Sequence, residues 1–297
     1  MLRTKFVLSA LAAALVALPA AYANAWGRDG HAIVGLLAER EIDPATLEQV
    51  EALLDGRSIA EVASWADAVR PQDDYRWSAP LHYVNMPPEA SAYQHRRDCP
   101  DVGCVVSAVD RFAREVADTS LPTIQRRESL MFLIHFVGDL HQPLHGGRKA
   151  DRGGNDITIT FFGTETNLHR AWDSQILRAH DPSPWPVIAE KLAATIDDHD
   201  RAAWLADYHG GNLIDTAGRW AFESHSLAER YCYAVVQDGD ALEQPYVDAT
   251  ADIVELRLAQ GGVRLAAVLE TAFADIASEA DASGPTGQTS PQTEGDH

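Results

Sequence analysis

The stretch Leu130-Met131-Phe132-Leu133-Ile134-His135-Phe136-Val137-Gly138-Asp139-Leu140-His141-Gln142-Pro143-Leu144-His145 decides both the fold and the place of the chemistry. Its apolar first third reads as a buried helix, where ionisable groups are costly unless they have partners. His135 and Asp139 stand four residues apart, which puts imidazole and carboxylate on one helix face with β-carbons about 6 Å apart. Pro143 then ends the helix and lets His145 turn back. The spacing recurs in Asn167-Leu168-His169-Arg170-Ala171-Trp172-Asp173, where His169 and Asp173 are again four apart. Imidazole nitrogen with carboxylate oxygen is the donor mix of catalytic zinc sites, whereas structural zinc sites are usually thiolate-rich, and neither stretch contains cysteine. The implied centre is a catalytic zinc cluster.

Outward from this stretch, the chain reads as almost entirely helical. Helices are expected over 27–41, from Pro44, and after the capping residue Ser58 up to Pro71. Others are expected over 105–118, 123–141, 166–180, 185–206, 212–236, 246–259 and 262–278. Residues 72–104 read as a long loop, a length that is usually functional. Residues 156–162 alternate Ile157, Ile159 and Phe161 with threonines, the one good strand signal. The expected fold class is all-α: a single helical domain over 26–281 with a minor β-hairpin.

The two ends fall outside that domain. Arg3 and Lys5 precede an apolar run from Phe6 to Leu18, and Ala23-Asn24-Ala25 is a small-x-small cleavage site, so residues 1–25 read as a signal peptide. Cleavage after Ala25 makes Trp26 the mature N-terminus, with a free α-amino group able to act as a ligand. The expected location is secreted or periplasmic. Residues 282–297 are polar and rich in Pro and Gly, and read as a disordered tail. In an exported chain, Cys99 and Cys104 are expected to form a local disulfide across C-P-D-V-G-C; Cys232 is left over, either buried or paired between chains.

The formal charge is −20, and −22 once Arg3 and Lys5 are removed. That excludes a nucleic-acid binder relying on a basic surface. It leaves room for a phosphodiester-cleaving enzyme, because bound divalent metals would be the largest local charges in the site.

The candidates taken together resemble a known family. Trp26, His31, Asp67, His82 and the two motifs above lie within W-G-x3-H, W-A-D-x2-R, H-Y-V-N, H-F-x-G-D-x-H-Q-P-L-H, G-G-N-D and L-H-x-x-W-D. This set, from Trp26 to Asp173, resembles the trinuclear-zinc single-strand-specific nucleases: the fungal enzymes, mung bean nuclease and the plant bifunctional nucleases. The resemblance implies three Zn2+ per chain. One would be held by Asp67, His82, His135 and Asp139; a second by Trp26, His31 and the bridging Asp139; the third by His145, His169 and Asp173. His141 falls in the motif without being a ligand in the family and reads as structural.

The resemblance also implies an endonuclease that hydrolyses single-stranded RNA and DNA to 5′-phosphate products, with 3′-nucleotidase activity. Asp67 and Asp139 would carry the catalytic metals, and Arg70 would stabilise charge on the phosphoryl oxygens. Tyr83 and Asn85 would grip a base, and Asn155 would sit beside the phosphate. Fungal members have a carboxylate where Asn85 stands, which leaves base preference open. The alternative is a zinc-dependent phospholipase C, which shares the helical fold and a similar site; H-Y-V-N and G-G-N-D favour the nuclease. A non-catalytic zinc carrier would show flexible His/Asp-rich loops instead of fixed helical spacings.

Overall fold

The structure is a computed structural model and describes residues 26–208, 210 and 213–282, with side chains described through residue 274. The expected signal peptide at 1–25 and the expected tail at 282–297 lie outside the described residues, except that Ala282 belongs to the last helix.

Helix α7 (Thr123–Leu140) is the axis of the domain: every residue from Ser129 to Leu140 is buried, so this part of the helix is covered on all sides by other elements. On one side lies α6 (Val105–Ala117), whose Val105, Val109, Phe112 and Val116 form a buried stripe at helical spacing. The first helices are α1 (Arg28–Glu41), α2 (Pro44–Leu53), α3 (Ile59–Val62) and α4 (Trp65–Val69). Ser58 starts α3 with a capping box closed by Glu61, as its position before an apolar run requires.

The expected loop at 72–104 is partly ordered. It holds a 3-10 helix over Asp73–His82 and the short α5 (His95–Asp98), and the Cys99–Cys104 disulfide closes its end. Its sequence, interrupted by Pro80 and lacking a 3.6-residue apolar stripe, gave no helical period to detect.

The expected hairpin is present. Strand β1 (Thr158–Phe161) pairs antiparallel with β2 (Thr164–Asn167), in register Thr160 with Glu165, and β3 (Ala241–Leu242) adds in parallel on the other side of β1. The turn at Phe162-Gly163 has positive φ at both residues, the geometry that matches strand twist.

Downstream, α8 (Leu168–Arg170) runs through a π turn at Ala171–Gln175 into α9 (Ile176–His180). The expected helix at 185–206 is two, α10 (Trp185–Ala193) and α11 (Asp198–Trp204), because Asp197 accepts from Asp200 N and opens a new helix there. Then follow α12 (Leu213–Ala228), a second π turn at Glu229–Tyr233 and α13 (Gln244–Ala282).

The last helix corrects the expected pair at 246–259 and 262–278. Gly261 and Gly262 do not break α13; they let it pack against α1, since a Cβ on Gly262 would sit 2.3 Å from Leu37 Cβ. Cys232 is free and buried, so it is a small core residue. Among the described residues, no helix is long and apolar enough to cross a membrane.

Candidate metal centre and its cavity

The fold delivers four segments to the buried end of α7. Asp67 arrives on α4, His82 at the end of the 3-10 helix, His145 on the turn Pro143–Gly146, and His169 and Asp173 on α8 and its π turn. All of them are buried, as are His31, His135 and Asp139. Among the described residues, three groups have ligand atoms within 4.8 Å of one another: His31, His135 and Asp139; Asp67, His82 and His135; and His145, His169 and Asp173. Eight of the nine expected ligand residues are therefore brought together. The ninth, Trp26, is fully buried at the start of α1, and its neighbour Gly27 donates to the carbonyl of Asp173 at 2.7 Å.

Asp139 stands between the first two groups. Its Oδ1 faces His31 Nε2 at 3.2 Å, while its Oδ2 faces His82 Nδ1 at 2.9 Å and His135 Nε2 at 3.2 Å. Gly138 makes room for this: a Cβ there would meet His31 Nδ1 at 2.7 Å. Three imidazoles are oriented by backbone carbonyls that face Nδ1, namely His135 by Ala63, His145 by His82 and His169 by Gly153. That leaves their Nε2 atoms turned toward the cluster, the arrangement in which a second partner fixes a metal-binding histidine.

The donor set fits a divalent metal. His31 Nδ1 and Nε2, Asp67 Oδ1, His82 Nε2, Asp139 Oδ1, His145 Nε2 and Asp173 Oδ2 are all buried without a hydrogen-bond partner. Buried polar atoms rarely go unsatisfied, and here one ligand atom from each of these residues lies within 4.8 Å of those of its group. Protonation points the same way. Burial, reinforced by His135, drives His31 down to about 4, and burial with His145 drives His169 down to about 3. Burial also lowers His82 and His145, so these rings are neutral and offer lone pairs. Burial pushes down on His135 as well, but the Asp139 and Asp67 carboxylates outweigh it and hold it above its usual value. Asp139 stays well below the carboxylate range because His135 and His145 outweigh its burial. Asp173 is pushed well above that range by burial, a cost that a bound cation would offset.

Two side chains from the central motif play supporting parts. Gln142 is fully buried, donates from Nε2 to Asp173 Oδ1 at 2.6 Å and accepts from Leu144 N. His141 points away from the cluster, as expected of a structural residue: its Nδ1 meets Val137 O at 2.7 Å and its Nε2 meets Arg264 at 3.1 Å.

The cluster opens into a cavity of about 410 Å3 lined by Arg70, His82, Tyr83, Asn85, His145 and His169, among others. That is room for a nucleotide-sized ligand. Arg70 reaches it while paired with Asp67 Oδ1 at 3.3 Å. Tyr83 is 44 % exposed at the cavity, which removes core packing as its role. Its segment is pinned by Val84 N to His145 O and Met86 N to Gly147 O. Asn155 is not among the lining residues; its amide donates to Arg152 O at 2.9 Å, the contact of a turn asparagine. Lys149 and Arg152 do line the cavity, and sequence reasoning missed them. The available signal was two cations inside the glycine-rich turn G-G-R-K-A-D-R-G-G-N.

Comparison with known proteins places the molecule. A family model described as S1/P1 Nuclease matches residues 26–274. Endonuclease 4 of Arabidopsis thaliana is 36% identical, over 84% of this chain and 89% of its own length. Nuclease P1 of Penicillium citrinum is 34% identical over 81% and 95%, and nuclease S1 of Aspergillus oryzae 28% over 82% and 91%. The protein is thus a hydrolytic phosphodiesterase, and the phospholipase C alternative gives way to a nuclease. The chain belongs to the S1/P1 nuclease family.

Proposed function

We propose that this nuclease cuts single-stranded RNA and DNA internally, leaving 5′-phosphates, and also removes phosphate from 3′-nucleotides, using three Zn2+ per chain. One observation carries the reading: among the described residues, three adjoining buried His/Asp clusters have unsatisfied donor atoms, and two of them, through His82, His145 and His169, line a cavity that also holds an exposed tyrosine and an arginine.

Asp67, His82, His135 and Asp139 would hold one ion, the Trp26 α-amino and carbonyl groups, His31 and Asp139 a second, and His145, His169 and Asp173 the third. Bound zinc supplies Lewis-acid charge and lowers the pKa of coordinated water toward neutrality. The remaining work falls to side chains. Arg70 offers N–H donors to the phosphoryl oxygens, where charge grows as water adds and the P–O3′ bond breaks. Tyr83 stacks on the base and the Asn85 amide, both donor and acceptor, meets its edge. A base inside a duplex has no free face for Tyr83, which supports the single-strand preference. Asn155, whose amide already donates one N–H to the Arg152 carbonyl, would offer its second N–H to the phosphate. The site asks for one base and the adjoining phosphate, so a 3′-nucleotide suffices as substrate. Export, with cleavage after Ala25, would free the Trp26 amine.

The test is end-group mapping together with metal analysis on the processed protein. A single-stranded oligonucleotide should yield 5′-phosphate and 3′-hydroxyl ends, a 3′-nucleotide should release inorganic phosphate, and zinc should approach three per chain. Ends bearing 3′-phosphate, or equal cleavage of the matching duplex, would overturn the reading.

A further inference from the structure

The cavity carries three cations and no carboxylate among its lining residues, in a chain whose net charge is −20. Two of the cations are neutralised close by. Arg70 pairs with Asp67, and Arg152 pairs with Asp156, Nη2 to Oδ1 at 2.9 Å. Neighbouring Arg148 is turned elsewhere, paired with Glu229 and stacked 4.2 Å over the Tyr233 ring. Among the described residues, the exposed Lys149 has no ion pair or side-chain hydrogen bond.

The backbone beneath Lys149 is nevertheless fixed. Its 3-10 turn, Lys149–Asp151, is held by Gly153 N to Arg148 O at 2.9 Å, by Gly154 N to Asp151 Oδ1 at 2.7 Å, and by Tyr233 OH to the same oxygen at 3.1 Å. An unneutralised ammonium on an anchored turn, beside a cavity that already has an arginine for the reacting phosphate, is equipped to take a second phosphate. A mononucleotide has none to offer it; a chain does.

We infer that Lys149 binds the phosphate next to the one being cleaved, and so distinguishes polynucleotide from mononucleotide substrates. The inference rests on the nuclease reading above and adds a substrate-length role to that site. Elsewhere the acidic surface repels the strand, so this contact carries a larger share of the electrostatic attraction than one lysine on a basic protein would.

The experiment compares wild type, Lys149→Met and Lys149→Arg, each processed and zinc-loaded. Binding of a fluorescent, phosphorothioate-protected oligothymidylate is read by anisotropy across a salt series, alongside KM for the unmodified oligonucleotide and for a 3′-mononucleotide. For Lys149→Met, we expect several-fold weaker oligonucleotide binding and a salt slope smaller by about 0.7, the value of one single-strand phosphate contact. The mononucleotide KM should change by less than about twofold, and Lys149→Arg should restore oligonucleotide binding. Equal changes for both substrates, an unchanged salt slope, or loss of zinc from Lys149→Met would overturn the inference while leaving the nuclease reading intact. A wild-type protein that cleaves neither substrate would overturn both.

Discussion

Gln142→Leu isolates the support of a single ligand. The substitution keeps the buried volume nearly constant and removes two hydrogen bonds: Nε2 to Asp173 Oδ1 at 2.6 Å, and the acceptor for Leu144 N. With Gln142 fully buried, no solvent can replace either partner. A hydrogen bond to a charged group contributes about 1.5–3 kcal/mol, and the neutral one about 1 kcal/mol. The first loss falls on Asp173, whose Oδ1 Gln142 holds at a point 3.6 Å from His169 Nε2 while Oδ2 has no hydrogen-bond partner. At tenfold per 1.4 kcal/mol, affinity for the ion proposed to be held by His145, His169 and Asp173 should fall roughly 10–100-fold. The second loss falls on the fold and should lower Tm by a similar amount with and without metal. Chelator competition with a chromophoric zinc indicator separates the two effects: about one equivalent of three should be released early, the others as in wild type. Release of all three together, or none earlier than wild type, would refute the assignment of Gln142 to Asp173.

Asp139→Asn should abolish cleavage and reduce bound zinc, because each carboxylate oxygen faces a different set of histidines; full activity, assayed with zinc content, would exclude the shared role. A protein retaining residues ahead of Trp26 should lose one zinc equivalent and most turnover, checked by comparing intact mass with metal content. Gly262→Ala should lower Tm by circular dichroism: about 1 kcal/mol gained in helix propensity is outweighed by about 1–3 kcal/mol of overpacking against Leu37. For the metal-free protein, His31 and His169 titrate at about 4 and 3 when folded and near 6.5 when unfolded. The unfolded chain therefore binds more protons in that window, and the stability these groups supply above about pH 6.5 is lost as pH falls toward 4. Asp173 and His135, both shifted upward, act in the opposite sense, but the five lowered histidines, His31, His82, His141, His145 and His169, outnumber them. Chelated protein should melt lower at about pH 5 than at about pH 7.

What could be read from the sequence was whatever local spacing determines. The apolar run before His135, the His135/Asp139 pair and the Ile/Thr alternation at 157–161 each contain their own period and each became the element it implied, whereas the His169/Asp173 pair falls on a short α-helix and a π turn within the helix expected over 166–180. Gly261-Gly262 misled because a glycine pair reads as a helix break, whereas its cause is a contact with Leu37 from the opposite end of the chain. Asp197 was overlooked as a cap within an apparently continuous helical pattern. Lys149 and Gln142 were hidden for a different reason. Their roles depend on which way a turn faces and on a partner 31 residues away, and neither leaves a periodic trace.

The rear of the central motif is bolted to the far end of the chain. Arg257 donates to His141 O, Arg264 meets the His141 ring, and Glu223 takes both guanidinium groups. Every residue proposed to do chemistry precedes position 174, yet the platform beneath them is finished only by these two arginines. A polypeptide cut short after Asp173 would contain the whole spelling of a nuclease with nothing to hold its letters in place, so a ribosome that stalls midway would release no stray scissors.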